Sequence, residues 1–553
     1  MEFFDRYINP IHLLGLRSYL RTKRFLYTFN ISVLLMVSAM LLGFFFMSIE
    51  RMPTAQIGKN LFMIFSIMQY VIIGLVFPAF SCTAIISEKE GKTYDLLVTA
   101  NLSSGDIVWG KFLSAYTHSA MFLISSLPIV MMAFLFGGIT PALIMITYAI
   151  LFAYAALIVM LCLSISSVYK TITRAIIASY IVVIIINSFI SPMLFFLLYD
   201  YLHDSELARF FIAIGGYGSL NVFLTVYIVP VFVFLSLIFA PYLVAKNSLR
   251  TYANNRSTSL KVYFTCVGSG ILAIFLTYYI NSIYMFIGIQ QLDYEMIMMV
   301  GGFCLAIAGI FGLIGSLGFA GENPVPERFV MKRLSEHLKA GRIRRVFASK
   351  FFLGLLGPGS YRGARFVTLM CFGWTAIYLL ATWLLIEKFG VNNTVFWRNY
   401  EASGYMEYPI ISAFVVVSFV YFFSMLASFL SFRIRQIGFR RAVLFCMLLF
   451  LTILLPLYSL FSMEVYGGFH ASILNFQYLS PSMCFFWSFI PISQFGGSKF
   501  SCLIDGVPIH YIGIGVYFSL GFLLDLLNYR RSRKMWNELE KEEKEILESM
   551  DKK

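Results

Sequence analysis

Long apolar runs separated by short polar stretches set the pattern of this chain. A run of about 20 apolar residues crosses the hydrocarbon core of a bilayer as a helix. Twelve such runs can be placed, at 25–49, 61–86, 112–136, 141–168, 175–198, 220–245, 262–289, 296–320, 366–386, 409–431, 442–463 and 511–528. The pattern predicts an all-α integral membrane protein of about twelve transmembrane helices. The first run exceeds the h-region of a signal peptide and has no small-residue cleavage site after it, so it reads as a retained span.

Composition agrees with the pattern. Of 553 residues, 59% are hydrophobic and 13% charged, with a mean hydropathy of +0.80. A soluble domain carries about 25% charged residues, so a water-soluble enzyme, a disordered chain and a disulfide scaffold are all excluded.

The net charge of +14 gains its meaning from its distribution. With the segments assigned alternately and the N-terminus in the cytoplasm, 36 of the 42 Lys and Arg fall on the cytoplasmic side, and none falls inside an apolar run. Loops rich in Lys and Arg stay cytoplasmic, so both termini are expected inside the cell. The basic excess is a topology signal; a nucleic-acid footprint would cluster on a soluble domain.

The runs divide six and six. Residues 1–260 form a first half with an N-terminal lead-in and a polar loop at 87–111. Residues 261–553 form a second half with a cytoplasmic loop at 321–365, an outer loop at 464–510 and a charged tail at 529–553. A polar, basic joint at 246–261 separates them. Transporters are often built from two such halves.

Smaller features each have a functional and a structural reading. Arg17, Arg21 and Arg24 follow i, i+4, i+7 beside Leu13, Leu16 and Leu20, which suits a membrane-surface lead-in helix gripping anionic headgroups. In the 321–365 loop, Met331, Leu334 and Leu338 form an apolar stripe among basic residues, either a coupling element or a lipid-surface helix. Ala308, Gly312, Ser316 and Ala320 repeat every fourth residue, a spacing that lets helices pack closely. The broken apolar stretch 478–493 suits a re-entrant or interfacial helix, or a folded outer loop. Cys484 and Cys502 share the last outer loop, where an oxidising compartment would permit a disulfide. The other six cysteines lie in the spans as small apolar residues.

The segment 87–112, SEKEGKTYDLLVTANLSSGDIVWGKF, is the most informative. It carries both signs of charge, then Leu96 and Leu97, and then a short helical pattern with Ser103 or Ser104 as N-cap. It reads as a solvated loop or as short helices offered to a soluble partner. The segment also carries the motifs Glu88-Lys89-Glu90, Thr93, Asp95-Leu96-Leu97, Leu102-Ser103 and Ile107-Val108-Trp109-Gly110-Lys111. Together they resemble the first intracellular loop of permease subunits of ATP-binding cassette (ABC) transporters, type-2 export class. The lead-in Asn9-Pro10, Leu14, Leu16-Arg17, Arg21 and Lys23-Arg24 is similar to that family as well. Lys92 stands where the family often has Gly before the Thr, and Asn101 where it has Pro before Leu-Ser.

The resemblance implies a permease whose Glu88, Lys89, Glu90, Thr93, Asp95, Leu96 and Leu97 form a coupling element against a nucleotide-binding ATPase subunit in trans. The sequence has no G-x-x-x-x-G-K-[ST] phosphate loop. The expectation is therefore a non-enzymatic chain that binds no cofactor itself, with ATP and Mg on the partner. A second permease copy and membrane lipid are further expected partners, and nucleic acid is not. The resemblance implies a bacterial cytoplasmic membrane. The alternative is an ion-coupled twelve-helix secondary transporter, which generally needs ionisable groups inside the membrane. Asp525 is the only acidic residue within the apolar runs.

Overall fold

The computed structural model describes residues 10–21, 23–94, 102–169, 171–202, 229–249, 257–288, 294–324, 356–390, 407–434, 436–454, 480–487, 503–504 and 507–551. Their regular structure is helical apart from one small hairpin, Leu503–Ile504 (β1) paired antiparallel with Val507–Pro508 (β2). Among the described residues, ten helices are long and apolar enough to cross a membrane. The chain is a multi-pass integral membrane protein of the all-α class.

Two of the twelve expected runs are not among those ten. Run 175–198 falls in a helix whose described apolar part, Ile172–Ser188, is shorter than a full span. Run 442–463 falls on a helix and a π-helical turn that reach Leu454, where the described residues stop.

The chain separates into two compact units, Met1–Thr251 and Tyr252–Lys553. The first contains α1 (Pro10–Arg21), α2 (Lys23–Ile49), α3 (Thr54–Ser81), α4 (Ile86–Glu90), α5 (Ser104–Ser125), α6 (Leu127–Leu135), α7 (Pro141–Val168), α8 (Ile172–Leu202) and α9 (Val229–Leu249). Its centre is α7, on which α3, α5, α8 and α9 all pack. Ala155, Ile158, Val159, Met160, Cys162 and Leu163 of α7 are fully buried, as expected of a helix apolar on every side. Thr140 caps it by accepting the Leu143 N–H, and Pro141 sits in its first turn. The turn before it needs glycine: Gly138 has φ +80°, and a Cβ there would meet the Ala55 carbonyl at 2.2 Å. On α2, Leu34, Leu41 and Phe46 are more than half exposed, an outward apolar surface that suits lipid and not water.

The second unit contains α10 (Ser257–Gly288), α11 (Tyr294–Gly315) with a π-helical turn at Ser316–Ala320, α12 (Ser360–Gly390), α13 (Glu407–Arg433), α14 (Ile437–Leu449) with a π-helical turn at Phe450–Leu454, α15 (Pro481–Trp487) and α16 (Ile509–Asp551). Its centre is α13, packed by α11, α12 and α16. The small-residue stripe serves packing: a Cβ on Gly312 would meet Val420 of α13 at 2.8 Å, and Ala308, Ser316 and Ala320 are buried. In the broken stretch 478–493, the described residues show α15 lying against α13 and α16.

One boundary expectation needs correcting. The apolar runs exclude every Lys and Arg, but the spanning helices do not. Lys261 lies inside the candidate span Ser257–Ile280, and Arg362 and Arg365 lie inside Ser360–Leu385. Hydropathy ends a run at the first charge, whereas the backbone ladder continues through it. Lys261, expected in the polar joint, is fully buried, and its Nζ donates to the Gly357 carbonyl at 2.6 Å.

Candidate functional site

At one end of the first unit a short charged segment ties several helices together. Helix α3 stops at Ser81, four turn residues follow, and α4 begins at Ile86. The first N–H groups of a helix lack intrahelical partners. Here Ser166 of α7 supplies one, its Oγ accepting the N–H of Ile85 at 3.2 Å and of Ile86 at 3.1 Å. The Ile86 side chain is fully buried and faces the core.

The three charges of α4 each reach a different helix. Glu88 pairs with Lys111 of α5, both partly buried. Lys89 donates from Nζ to the Ser167 carbonyl at the C-terminal end of α7, where helix carbonyls are unpaired and the dipole favours a cation. Glu90 Oε1 accepts the N–H of Ile172, the first residue of α8, at 2.8 Å, the mirror arrangement at a helix N-terminus. Further on, the Tyr94 hydroxyl donates to the Leu249 carbonyl at the end of α9, at 3.0 Å. The segment 85–94 is therefore bonded to α5, α7, α8 and α9.

The chain leaves α4 through a tight turn. Thr93 donates its N–H to the Glu88 carbonyl at 3.0 Å, and its hydroxyl lies 3.3 Å from the same oxygen. Lys92 adopts φ +56°, the left-handed conformation that glycine takes most readily. This is the position where the resembled family often carries Gly. Helix α5 then opens with a capping box: Asp106 N–H to Ser103 Oγ at 3.2 Å and Ser103 N–H to Asp106 Oδ2 at 3.3 Å.

The placement of the expected site residues is mixed. Glu88, Lys89, Glu90 and Thr93 gather as one element, but the three charges are engaged by the chain's own helices. Ser87, Glu90, Gly91, Lys92 and Thr93 form the exposed side of that element. Asp95, Leu96 and Leu97 lie outside the described residues. So does the stripe Met331, Leu334 and Leu338. The sequence reading missed Ser166, Ser167 and the N–H of Ile172, because partners some 80 positions away leave no local signal. Lys111 and Tyr94 stood in the motif region without an assigned role.

The lead-in is a helix, α1, with Arg17 and Arg21 exposed, and it packs on α5. A Cβ at Gly15 would meet Ser114 Oγ at 2.6 Å, so the helix sits in close contact with protein on one side. Arg24 belongs to α2, and its side chain lies outside the described residues. Cys484 of α15 is buried against α16, where a Cβ on Gly513 would approach its sulfur to 2.7 Å. Burial pushes its thiol up to about 12, which disfavours the thiolate that disulfide exchange needs. Cys502 lies outside the described residues.

In the second unit Asp525 of α16 is held by two phenols and an arginine. Tyr361 OH donates to Oδ1 at 2.7 Å, Tyr421 OH to Oδ2 at 3.2 Å, and an Arg365 nitrogen stands 4.0 Å from Oδ1.

Comparison of the chain with protein-family models, curated proteins and solved structures finds no match. The functional reading therefore rests on sequence pattern and geometry.

Proposed function

We propose that this chain is the membrane-spanning permease subunit of an ABC transporter of the export class, coupled to a separate ATP-hydrolysing subunit that carries ATP and Mg. The observation that supports it is the bonding of segment 85–94 to α5 through Lys111 and to the ends of α7, α8 and α9 through Ser166, Ser167, Ile172 and Leu249. A partner that closes on ATP and presses on the exposed side of α4 moves those helix ends together. ATP binding then shifts a two-state equilibrium by its differential affinity for the two arrangements. Twelve spans with both termini inside, and a bacterial cytoplasmic membrane, belong to the same reading. On this reading the 85–94 end faces the cytoplasm, as the positive-inside count suggests, and that is where an ATPase would bind.

The test is co-purification of the full chain with a nucleotide-binding subunit, followed by ATPase and transport assays in proteoliposomes. The chain should stimulate that subunit's ATPase. Charge reversal at Glu88 and Glu90 should lower transport per ATP hydrolysed, with the protein still folded. A chain that binds no ATPase and transports on a proton gradient alone overturns the reading.

That outcome would favour the ion-coupled carrier, for which the Asp525 cluster is the supporting observation, since ionisable groups at membrane depth commonly mark ion pathways. Asp525→Asn should then abolish the proton dependence. In the ABC permease it should only weaken the packing of α16.

A further inference from the structure

Helices α13 and α16 of the second unit run side by side in the same direction. Phe419 packs on Tyr517, a Cβ on Gly521 would meet the Tyr421 ring at 2.7 Å, and Asn528 Nδ2 donates to the Met425 carbonyl at 2.9 Å. Their apolar parts end at one level. The candidate span of α13 closes on Arg433. The apolar run of α16 ends at Asn528, about 4.5 Å along the axis before Arg531. At that level two arginines share one ring: Arg531 Cζ lies 4.8 Å from the centre of the Phe429 ring, and Arg433 Cζ lies 5.8 Å from it. Arg433 is exposed and Arg531 half-buried. Among the described residues neither makes an ion pair or a hydrogen bond. Arg365, by contrast, stacks on Tyr361 and has Asp525 at 4.0 Å.

The chain itself offers this pair no anion. No Asp or Glu occurs at 408–463 or at 526–537. The dipole of α13 favours a cation at Arg433, near its C-terminal end, but Arg531 lies in the interior of α16 and gains nothing from a helix end. Two cations held against one ring repel each other unless an anion stands beside them. The surroundings indicate which anion. At helical spacing on the membrane side of the pair lie Leu426 of α13 and Leu523 and Leu527 of α16, all partly or largely exposed, an apolar surface suited to acyl chains. Arg530, Arg533 and Lys534 are exposed on the adjoining outward side of α16. A headgroup that carries its own ammonium would face those cations, whereas a net negative one would not.

We propose that Arg433 and Arg531 hold the phosphate of an anionic phospholipid at the membrane surface, with Phe429 as the platform between them and the acyl chains laid along Leu426, Leu523 and Leu527. Each guanidinium offers paired N–H donors that match phosphate oxygens. The ring face stabilises both cations and restricts where they point. The proposal uses only the multi-pass membrane assignment and holds equally for a permease and for an ion-coupled carrier.

Native mass spectrometry of the full chain, released from vesicles of equal phosphatidylglycerol and phosphatidylcholine, tests it. The chain should retain phosphatidylglycerol over phosphatidylcholine by about fivefold or more, and Arg433→Gln combined with Arg531→Gln should remove that preference. Arg530→Gln combined with Arg533→Gln removes the same charge from the same surface and should keep the preference within about twofold. Equal losses in the two double variants would assign the lipid to surface charge in general and overturn the site. A chain with no preference to begin with overturns it as well. Arg433→Lys combined with Arg531→Lys keeps the charge but not the planar fork, and should lose about half of the preference or more. That variant decides the matter if the glutamine pair fails to fold, and an undiminished preference in it overturns the site. Saturating inorganic phosphate should leave the bound lipid in place; its displacement would make this a site for free phosphate and overturn the assignment to lipid.

Discussion

The two units differ in how deeply their anchoring cations are buried. In the first, charge meets charge or a helix end in a partly exposed setting: Glu88 with Lys111, and Glu90 with the N–H of Ile172. In the second, fully buried cations meet backbone carbonyls. Lys261 donates to Gly357, and Arg440 donates to Ser431 at 3.3 Å, to Ile434 at 2.9 Å and to Gly321. A solvent-touched ion pair contributes on the order of 0–1 kcal/mol and can exchange for water. A buried donor cannot, because its removal strands acceptors that water does not reach. The first unit therefore has a joint that can be rearranged at small cost, and the second has a rigid one. A joint that passes motion on is better placed in the first.

The largest effect should come from Arg440. Arg440→Met strands the buried carbonyls of Ser431 and Gly321 and removes a partly buried bond to Ile434, and should cost about 3 kcal/mol, read as a large fall in thermal midpoint and monodisperse yield in detergent. Arg440→Lys should fall between, since a single ammonium lacks the fork that reaches several acceptors. A loss under about 1 kcal/mol for Arg440→Met, the range of an exposed pair, breaks the contrast. Lys261→Met comes next. It keeps most of the side-chain volume but strands the Gly357 carbonyl and removes a cation 5.9 Å from the Phe319 ring and 5.7 Å from that of Phe366. The expected cost is about 2 kcal/mol. The fall in thermal midpoint in detergent reads this loss too.

The sequence announced the spans and left most of the joints unwritten, and the reason is range. An apolar run declares itself over about 20 residues, and all ten candidate spans overlap expected runs. The cap of α5 was legible to within one residue, as Ser103 or Ser104, and the structure selects Ser103, whose partner Asp106 is three residues on. Burial of Lys261 was not: a lysine that ends an apolar run looks like a boundary, and only the return of the chain at Gly357 shows its acceptor. In the candidate site, the motif located Glu88, Lys89 and Glu90. Their partners at Ser167 and Ile172 depend on how α7 and α8 pack, which no local pattern encodes.

A smaller effect is expected at the Glu88–Lys111 pair. A double-mutant cycle with Glu88→Gln and Lys111→Met should give a coupling energy of about 0.5–1 kcal/mol, several times less than the loss at Arg440. The coupling should shrink in high salt, whereas the Arg440 effect should not. Equal salt sensitivity at the two sites would mean that the first joint is as dry as the second.

The smallest effect sharpens the comparison from within the first joint. Lys92 holds φ +56° although it has a Cβ, at a cost of about 1 kcal/mol that glycine avoids. Glycine also gains freedom in the unfolded chain, which offsets part of that benefit. Lys92→Gly should therefore stabilise the first unit by about 0.5 kcal/mol, seen as a small rise in thermal midpoint. Gly91→Ala is the control: Gly91 is the C-cap of α4 at φ −74°, and its added Cβ would meet the Ser87 carbonyl at 3.1 Å. It needs no left-handed conformation, so alanine should be neutral or slightly unfavourable. If Lys92→Gly destabilises instead, the Lys92 side chain supplies contacts worth more than the backbone strain. The turn would then be fastened by charge, like the rest of the joint, and not by backbone preference.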